Sequence, residues 1–367
     1  MKKALIVGSG MSGCVPALLL RQKGWDVTII ESAGVTGGGV RTFFYGGHPY
    51  TYGPRHFLSP FPEAYEFLNK YVPLRDIKKI NYTFVERDQT FYTYPIHADD
   101  VARMPEAERI KKELEARQTE AEATNLEEFY TCRVGPTLYD KFVKHYNKKA
   151  WMVESNTEMN FGFEATVKAR PLETGDRYEF RDWFNCYPVA HDGYNKFFDI
   201  ALEGCTVRLN TKITKFDLDA PAVWIGNERI ASDILISTIS PDTLMEYQYG
   251  ELGYVGREFH KIVLPVEYTL PPEVYFVYYP NDTEAHTRVV EYKKFTLHKA
   301  ASTLIGLEIP SKRNRLYPTM IKSDVEKAQK YFDALPGHVY SMGRMGTYRY
   351  IDIDDIIVQS LKWIESV

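Results

Sequence analysis

Gly8, Gly10 and Gly13 stand in the order G-x-G-x-x-G, directly after the apolar run "ALIVG" of residues 4–8. Each glycine has a task in nucleotide chemistry. One permits a tight turn, one lets a pyrophosphate approach the backbone, and one allows the following helix to pack closely on the strand. The N–H groups at the start of that helix would face the phosphates. Glu31 closes the next apolar run, "DVTIIE", 18 residues after Gly13. There a carboxylate can accept both ribose hydroxyls of an adenosine and would repel a 2'-phosphate. Together these residues point to a dinucleotide.

A second glycine-rich turn follows in "SAGVTGGGVRT", with Gly37, Gly38, Gly39 and Arg41. Beside the first turn it would make room for the longer pyrophosphate-ribityl arm of a flavin. The order resembles the E-x(5)-GG-x(2)-R pattern of the large glutathione-reductase-like group of FAD proteins, which favours FAD over NAD; a glycine-rich surface loop would carry the same letters. Next, "YTYGPRHFLSP" sets Arg55 and His56 among aromatic, glycine and proline residues. A buried guanidinium must find an anion or lose several kcal/mol to desolvation. The segment therefore predicts a negative partner, from the fold or from a ligand.

Other chemistries lack their residues. Cys14, Cys132, Cys186 and Cys205 are scattered and form no CxxC pair, so they read as reduced cytosolic thiols. The histidines show no HExxH-like spacing, and no protein metal site is expected. No Ser-His-Asp or paired-carboxylate arrangement stands out.

The elements that must position these groups are partly readable. Residues 4–31 form a βαβ opening, with the helix stopped by Gly24. From Asp99 to Phe129 the chain is charged and helical, with opposite charges at i,i+4 on a solvated face. The helical texture continues over 136–151, where Leu138, Phe142 and Tyr146 recur every four residues. Residues 206–241 alternate like a β-meander ending in the apolar strand "DILIST". "EVYFVYYP" and "TRVVEYKKFT" read as strands, and the tail as a short strand, a glycine turn and a helix from about Asp352. The chain of 367 residues is long enough for two or three domains. Its net charge of -4 and pI near 6.2 disfavour nucleic acid and anionic membrane surfaces. No run approaches the roughly 18 apolar residues of a membrane span. Lys2, Lys3 and the short apolar run after them fall short of a signal peptide, so a cytoplasmic protein is expected. The 27 tyrosines suit flat or hydroxylated ligands, and equally sheet packing.

Several short segments, in order along the whole chain, resemble the UDP-galactopyranose mutase family. They are "LIVGSGMSG", "YTYGPRHF", "YNKKAWMVESNTEM", "YPVAHDGYNKF", "HTRVVEYKKF" and "MGRMGTYRYIDIDD". The resemblance implies an enzyme, an isomerase that interconverts pyranose and furanose forms of a nucleotide-diphosphate sugar. It implies FAD, active when reduced, with flavin N5 as the nucleophile, no net redox and NAD(P)H as reductant. It assigns Arg170, in the loop after Trp151, and Arg288 to the leaving diphosphate, which a guanidinium can grip through two forked hydrogen bonds. Tyr317 and Tyr348 map to phosphate-binding tyrosines, and Tyr350 either joins them or is core. Phe142 and Tyr146 would sandwich uracil, though core packing explains the same spacing, and Trp151 would flank the nucleotide. Arg344 and Asp352 would contact FAD. A homodimer and a role in surface-polysaccharide synthesis, O-antigen or capsule, also follow from the resemblance.

The sequence departs from the family at positions that bear on the sugar. Arg55 and Leu58 stand where the family has two histidines, with His56 out of register. His97 replaces an asparagine, Phe184 a tyrosine, and residues 188–194 carry a two-residue extension. Loss of hydroxyl-binding side chains at Leu58 and Phe184 suits a substrate with fewer hydroxyls, such as a 6-deoxyhexose on UDP or dTDP. UDP-N-acetylgalactosamine, a pentose, or plain UDP-galactose with a drifted site are the other readings. From a different class, an FAD-dependent oxidase or desaturase with net oxidation would need no diphosphate arginines.

The expected architecture is α/β. A Rossmann-like FAD-binding domain combines 1–77, 200–245 and 335–367. A helical, nucleotide-binding insertion spans 98–172. An antiparallel-sheet substrate domain combines 78–97, 173–199 and 246–334.

Overall fold

A computed structural model describes residues 1–117, 123–161 and 172–367. One half is a five-stranded parallel sheet in the order Thr206–Arg208, Asp26–Ile30, Lys3–Val7, Ile234–Ser237 and Val339–Ser341. Parallel strands covered on both faces need unbroken apolar runs, which "ALIV" and "ILIS" supply. Ala4, Ile6, Ile234 and Ile236 point to a layer containing helices Met11–Gln22, Asn195–Leu202 and Ile353–Ile364. Leu5 and Leu235 point the other way, to Val223 and Phe216 of a small antiparallel sheet. This is the Rossmann-like α/β class expected.

The stretch 206–241 differs from a plain meander. Only Lys215–Asp217, Ala222–Ile225 and Glu228–Ala231 pair as one, while its two flanking strands join the parallel sheet. Alternation within a strand says nothing about which neighbour it will meet.

A seven-stranded sheet roofs the parallel-sheet half. Its order is Tyr317–Pro318, Tyr254–Leu264, Thr303–Ser311, Arg288–Glu291, Val274–Tyr278, Ile80–Val85 and Thr90–Tyr94. All neighbours are antiparallel except Val274–Tyr278 against Ile80–Val85. Register aligns one cross-strand row: Thr83, Tyr278, Arg288, Glu308 and Phe259. The strand predicted for "TRVVEYKKFT" stops at Glu291, and Tyr292–Thr296 is a helical turn. The turn forms because both of its lysines are buried and must donate to carbonyls. Lys293 reaches Glu267 and Ser302, and Lys294 reaches Leu270, Pro271 and Pro272.

Beside this sheet lie the helices Ala98–Val101, Ala107–Glu115, Leu126–Tyr139 and His145–Trp151, the last two joined by a π-helical turn at Asp140–Lys144. Lys141 in that turn is buried and donates to Asp88 at 2.6 Å and to Glu106 at 2.5 Å. No helix among the described residues is long and apolar enough to cross a membrane.

Candidate active site

One cavity of about 730 Å³ runs between the parallel sheet, the roof and the helices. Its floor is the pair of glycine turns. Gly8 adopts a φ of +98°, and a Cβ on Gly13 would lie 2.0 Å from the Gly8 carbonyl oxygen. Gly13 therefore packs the helix onto the turn and does not itself face the cavity. The second turn is folded onto the first: Gly37 N–H donates to the Ser9 carbonyl at 2.8 Å, and a Cβ on Gly38 would meet the Gly10 Cα at 3.2 Å. Side chains at these positions would fill the trough. Glu31 lines the trough too, accepting from Ser9 N and Oγ at 2.9 Å each and from Ala33 N at 2.8 Å. Gly8, Gly10, Gly38 and Gly39 all border the same space. A bare backbone trough, a helix start and a carboxylate at the end of the second strand fit a dinucleotide such as FAD.

Arg41 turns away from the cavity and donates to the Thr36 carbonyl at 3.3 Å, so its part is to hold the glycine turn. Arg344 and Asp352 do border the cavity. They are joined at 2.8 Å, and Asp352 also caps the last helix in a reciprocal pair with Asp355.

The middle of the cavity is a cluster of arginines around one phenol. Arg55 donates from Nε to the Gly39 carbonyl at 3.1 Å, and both its terminal nitrogens lie 3.5 Å from the Tyr317 hydroxyl. The guanidiniums of Arg344 and Arg257 lie 4.5 and 5.0 Å from the Tyr317 ring centre. Burial alone would push the Tyr317 phenol up, but Arg55, Arg344 and Arg257 outweigh it and bring it down to about 7. Arg288 is forked onto Glu308 at 3.0 and 2.7 Å and stands over Phe276 and Tyr278. Burial disfavours its charge, yet Glu308 holds its pKa well above the ordinary arginine value. Among the described residues, Arg55 and Arg257 have no carboxylate partner. Among the described residues, the anion demanded by the sequence around Arg55 is thus not a side-chain carboxylate, and the acidic group set against both Arg55 and Arg257 is the Tyr317 phenol.

Phe142, Tyr146 and Trp151 line the helical wall. Trp151 meets both Tyr317 and Tyr350 edge-on at 6.1 and 5.7 Å, and those two tyrosines stack at 5.8 Å. Arg55, His56 and Leu58 line the opposite wall with Lys79 and Glu179. Lys79 is fully buried and paired with Glu179, and burial lowers its pKa.

Besides Arg41, three expected site residues lie elsewhere. Tyr348, whose backbone takes a φ of +48°, donates its hydroxyl to the Gly253 carbonyl at 2.9 Å and packs edge-on against Tyr254, away from the cavity. Tyr350 takes the place expected for it. Phe184 stacks on Tyr65 with ring centres 4.3 Å apart, on the outer side of the strand pair that holds Leu58 opposite Asn185. His97 is buried away from the main cavity, where Nδ1 accepts the Asp99 N–H that starts a short helix. Arg170 lies outside the described residues.

The sequence reading did not single out Arg257, Glu308, Lys79 or Glu179. A signal existed for Glu308, a lone charge in the apolar strand "TLIGLEIP", alternating with Leu304 and Gly306 on the more buried side. Among the described residues no group of His, Cys, Asp and Glu could hold a metal ion.

The sequence pattern of the UDP-galactopyranose mutase family matches residues 141–350, and that of NAD(P)-binding Rossmann-like domains matches residues 6–71. A probable UDP-galactopyranose mutase of Klebsiella pneumoniae is 23% identical over 98% of this chain and 93% of its own. A dTDP-fucopyranose mutase of Escherichia coli is 26% identical over 99% of this chain and 97% of its own. The crystal structure of a reduced UDP-galactopyranose mutase superimposes with a TM-score of 0.85 at 20% identity, covering 100% of this chain and 95% of that one.

Proposed function

The chain belongs to the UDP-galactopyranose mutase family, and from that premise we propose that it interconverts the pyranose and furanose forms of a nucleotide-diphosphate sugar without net redox. The observation that carries the reading is the pair Arg55 and Arg257. Both are cations facing one cavity with no carboxylate partner among the described residues, beside Arg288, Arg344 and the Tyr317 hydroxyl. A diphosphate brings two negative charges and forked acceptors to such a place. An oxidase acting on a small neutral substrate has no use for them.

FAD held on the two glycine turns, in its reduced state, would supply the nucleophile that takes over the anomeric carbon when the diphosphate leaves. The protein's residues do the rest. Arg257, Arg288 and Tyr317 hold the detached diphosphate in place, which keeps its return intramolecular. Arg170, which follows Trp151 in the sequence, is proposed as a further clamp. Phe142, Tyr146 and Trp151 enclose the base. A nicotinamide reductant, a homodimer and a product destined for a surface polysaccharide complete the proposal.

For the sugar, Leu58 is the informative residue, since it puts an apolar side chain into the cavity where the family carries a histidine. Phe184 no longer contributes to that argument. The proposed substrate is a hexose with fewer hydroxyls, a 6-deoxyhexose on UDP or dTDP. The test is incubation of dithionite-reduced protein with UDP- and dTDP-sugars, with pyranose and furanose forms resolved chromatographically. Ring isomerisation of dTDP-fucose more efficient than that of UDP-galactose is expected. Failure to isomerise any sugar would overturn the mutase reading, and a preference for UDP-galactose would overturn the 6-deoxy assignment alone.

A further inference from the structure

Among the described residues, Tyr317 is the phenol set against three guanidiniums. Its hydroxyl lies 3.5 Å from both terminal nitrogens of Arg55, and Arg344 and Arg257 stand 4.5 and 5.0 Å from its ring centre. The residue is buried, only 7% exposed, so water screens these charges poorly. Every element packed around it contributes a charged or titratable group. Arg55 comes from the segment after Tyr50, Arg257 and Glu308 from the roof strands, and Arg344, Tyr350 and Asp352 from the C-terminal segment. Tyr146 comes from the helical wall. Glu308 is committed to Arg288 and Asp352 to Arg344, which leaves Arg55 and Arg257 as surplus charge.

We propose that Tyr317 is the internal counter-ion of this cluster: above neutral pH it rests as a phenolate, and it takes a proton from solvent when a nucleotide diphosphate enters. The step balances simply. The diphosphate adds two negative charges beside the phenolate, the phenolate oxygen binds one solvent proton, and the resulting O–H donates to a phosphate oxygen. The low pKa of the free state agrees with this geometry. The device would offset one of the two surplus cations before substrate binds and would give substrate binding a pH dependence. It rests on the nucleotide-sugar reading above.

The test is calorimetric titration of the oxidised flavoprotein, which cannot turn over, with dTDP-fucose and UDP-galactose. The diphosphate of either ligand carries no proton that titrates near neutrality. Repeating the titration in buffers of different ionisation enthalpy gives the protons taken up per ligand bound. Near one proton is expected at pH 8 and about a tenth as much at pH 6, with loss of the tyrosinate ultraviolet band on binding. Tyr317→Phe should bind without proton uptake. Arg55→Met should move the uptake to higher pH, which keeps the idea testable if the phenylalanine variant folds poorly. Binding with heats independent of buffer at pH 8, or uptake unchanged in Tyr317→Phe, would refute the proposal while leaving the nucleotide-sugar reading intact. Absence of binding by either ligand would remove both.

Discussion

Arg288 and Glu308 stand directly opposite one another on adjacent antiparallel strands, joined by two hydrogen bonds of 3.0 and 2.7 Å. The same cross-strand row puts Tyr278 on the far side of Arg288 and Phe259 beyond Glu308. The guanidinium is therefore fixed in direction before any ligand arrives. Its exposed edge lines the cavity, and its other edge is spent on the carboxylate.

Glu308→Gln should weaken both stability and turnover. Glu308 is 3% and Arg288 18% exposed in their side chains, so the loss leaves a largely buried cation uncompensated. Removing one partner of such a pair costs about 3–5 kcal/mol. Chemical denaturation would measure this. The double variant Arg288→Met/Glu308→Leu should recover part of the stability but none of the activity.

Gly13→Ala should abolish cofactor retention. Its new methyl would fall 2.0 Å from the Gly8 carbonyl oxygen, which is backbone and cannot swing aside. Helix and turn must separate, at a cost of about 1–3 kcal/mol typical of overpacking. Flavin content of the purified variant is the readout, and a wild-type yellow sample would contradict the packing argument.

Leu58→His and Phe184→Tyr should behave differently, although both restore a family residue. Leu58 lines the cavity, so the imidazole should alter the preference among sugars. Phe184 stacks on Tyr65 outside it. Its substitution should leave kcat/KM for each sugar within about two-fold, the scale of a change of 0.5 kcal/mol or less.

Asp100 gives a pH prediction. Burial opposes its charge, but the Thr93 N–H at 2.7 Å and the Arg103 and Arg177 guanidiniums bring its pKa below the ordinary 3.8. A carboxyl whose pKa is depressed on folding stabilises the protein fully above its unfolded pKa. That contribution fades as pH falls through the lower, folded value. Asp100→Asn should therefore lower the melting temperature at pH 7 and flatten its dependence on pH below about 4.

The cofactor trough was legible in the sequence because its contacts are local. Gly8, Gly10, Gly13 and Glu31 lie within one strand–helix–strand unit, where backbone sterics and apolar periodicity dictate the path. The second glycine turn was legible for the same reason. The helical run of 136–151 likewise brought Phe142 and Tyr146 to one wall, since residues four apart share a helix face.

What the sequence by itself determined, then, is the dinucleotide turn, the class of fold and, through scattered family segments, the kind of reaction to expect. Tertiary structure alone decided which charges meet. Arg288 finds Glu308 through strand register across 20 residues, and Arg257 and Arg55 reach Tyr317 from segments far apart in the chain. Of Tyr348 and Tyr350, two residues apart, Tyr350 lines the cavity while Tyr348, at a positive φ, packs on Tyr254 away from it. Phe184 lies off the cavity because its strand pairs with Phe57–Ser59 and its ring stacks on Tyr65 against the hydrophobic core. Pairing between distant strands and the direction of a side chain depend on packing that no local pattern encodes. The arginine left waiting in "YTYGPRHFLSP" could be seen in the sequence, but its partner, a buried tyrosine hydroxyl, could not.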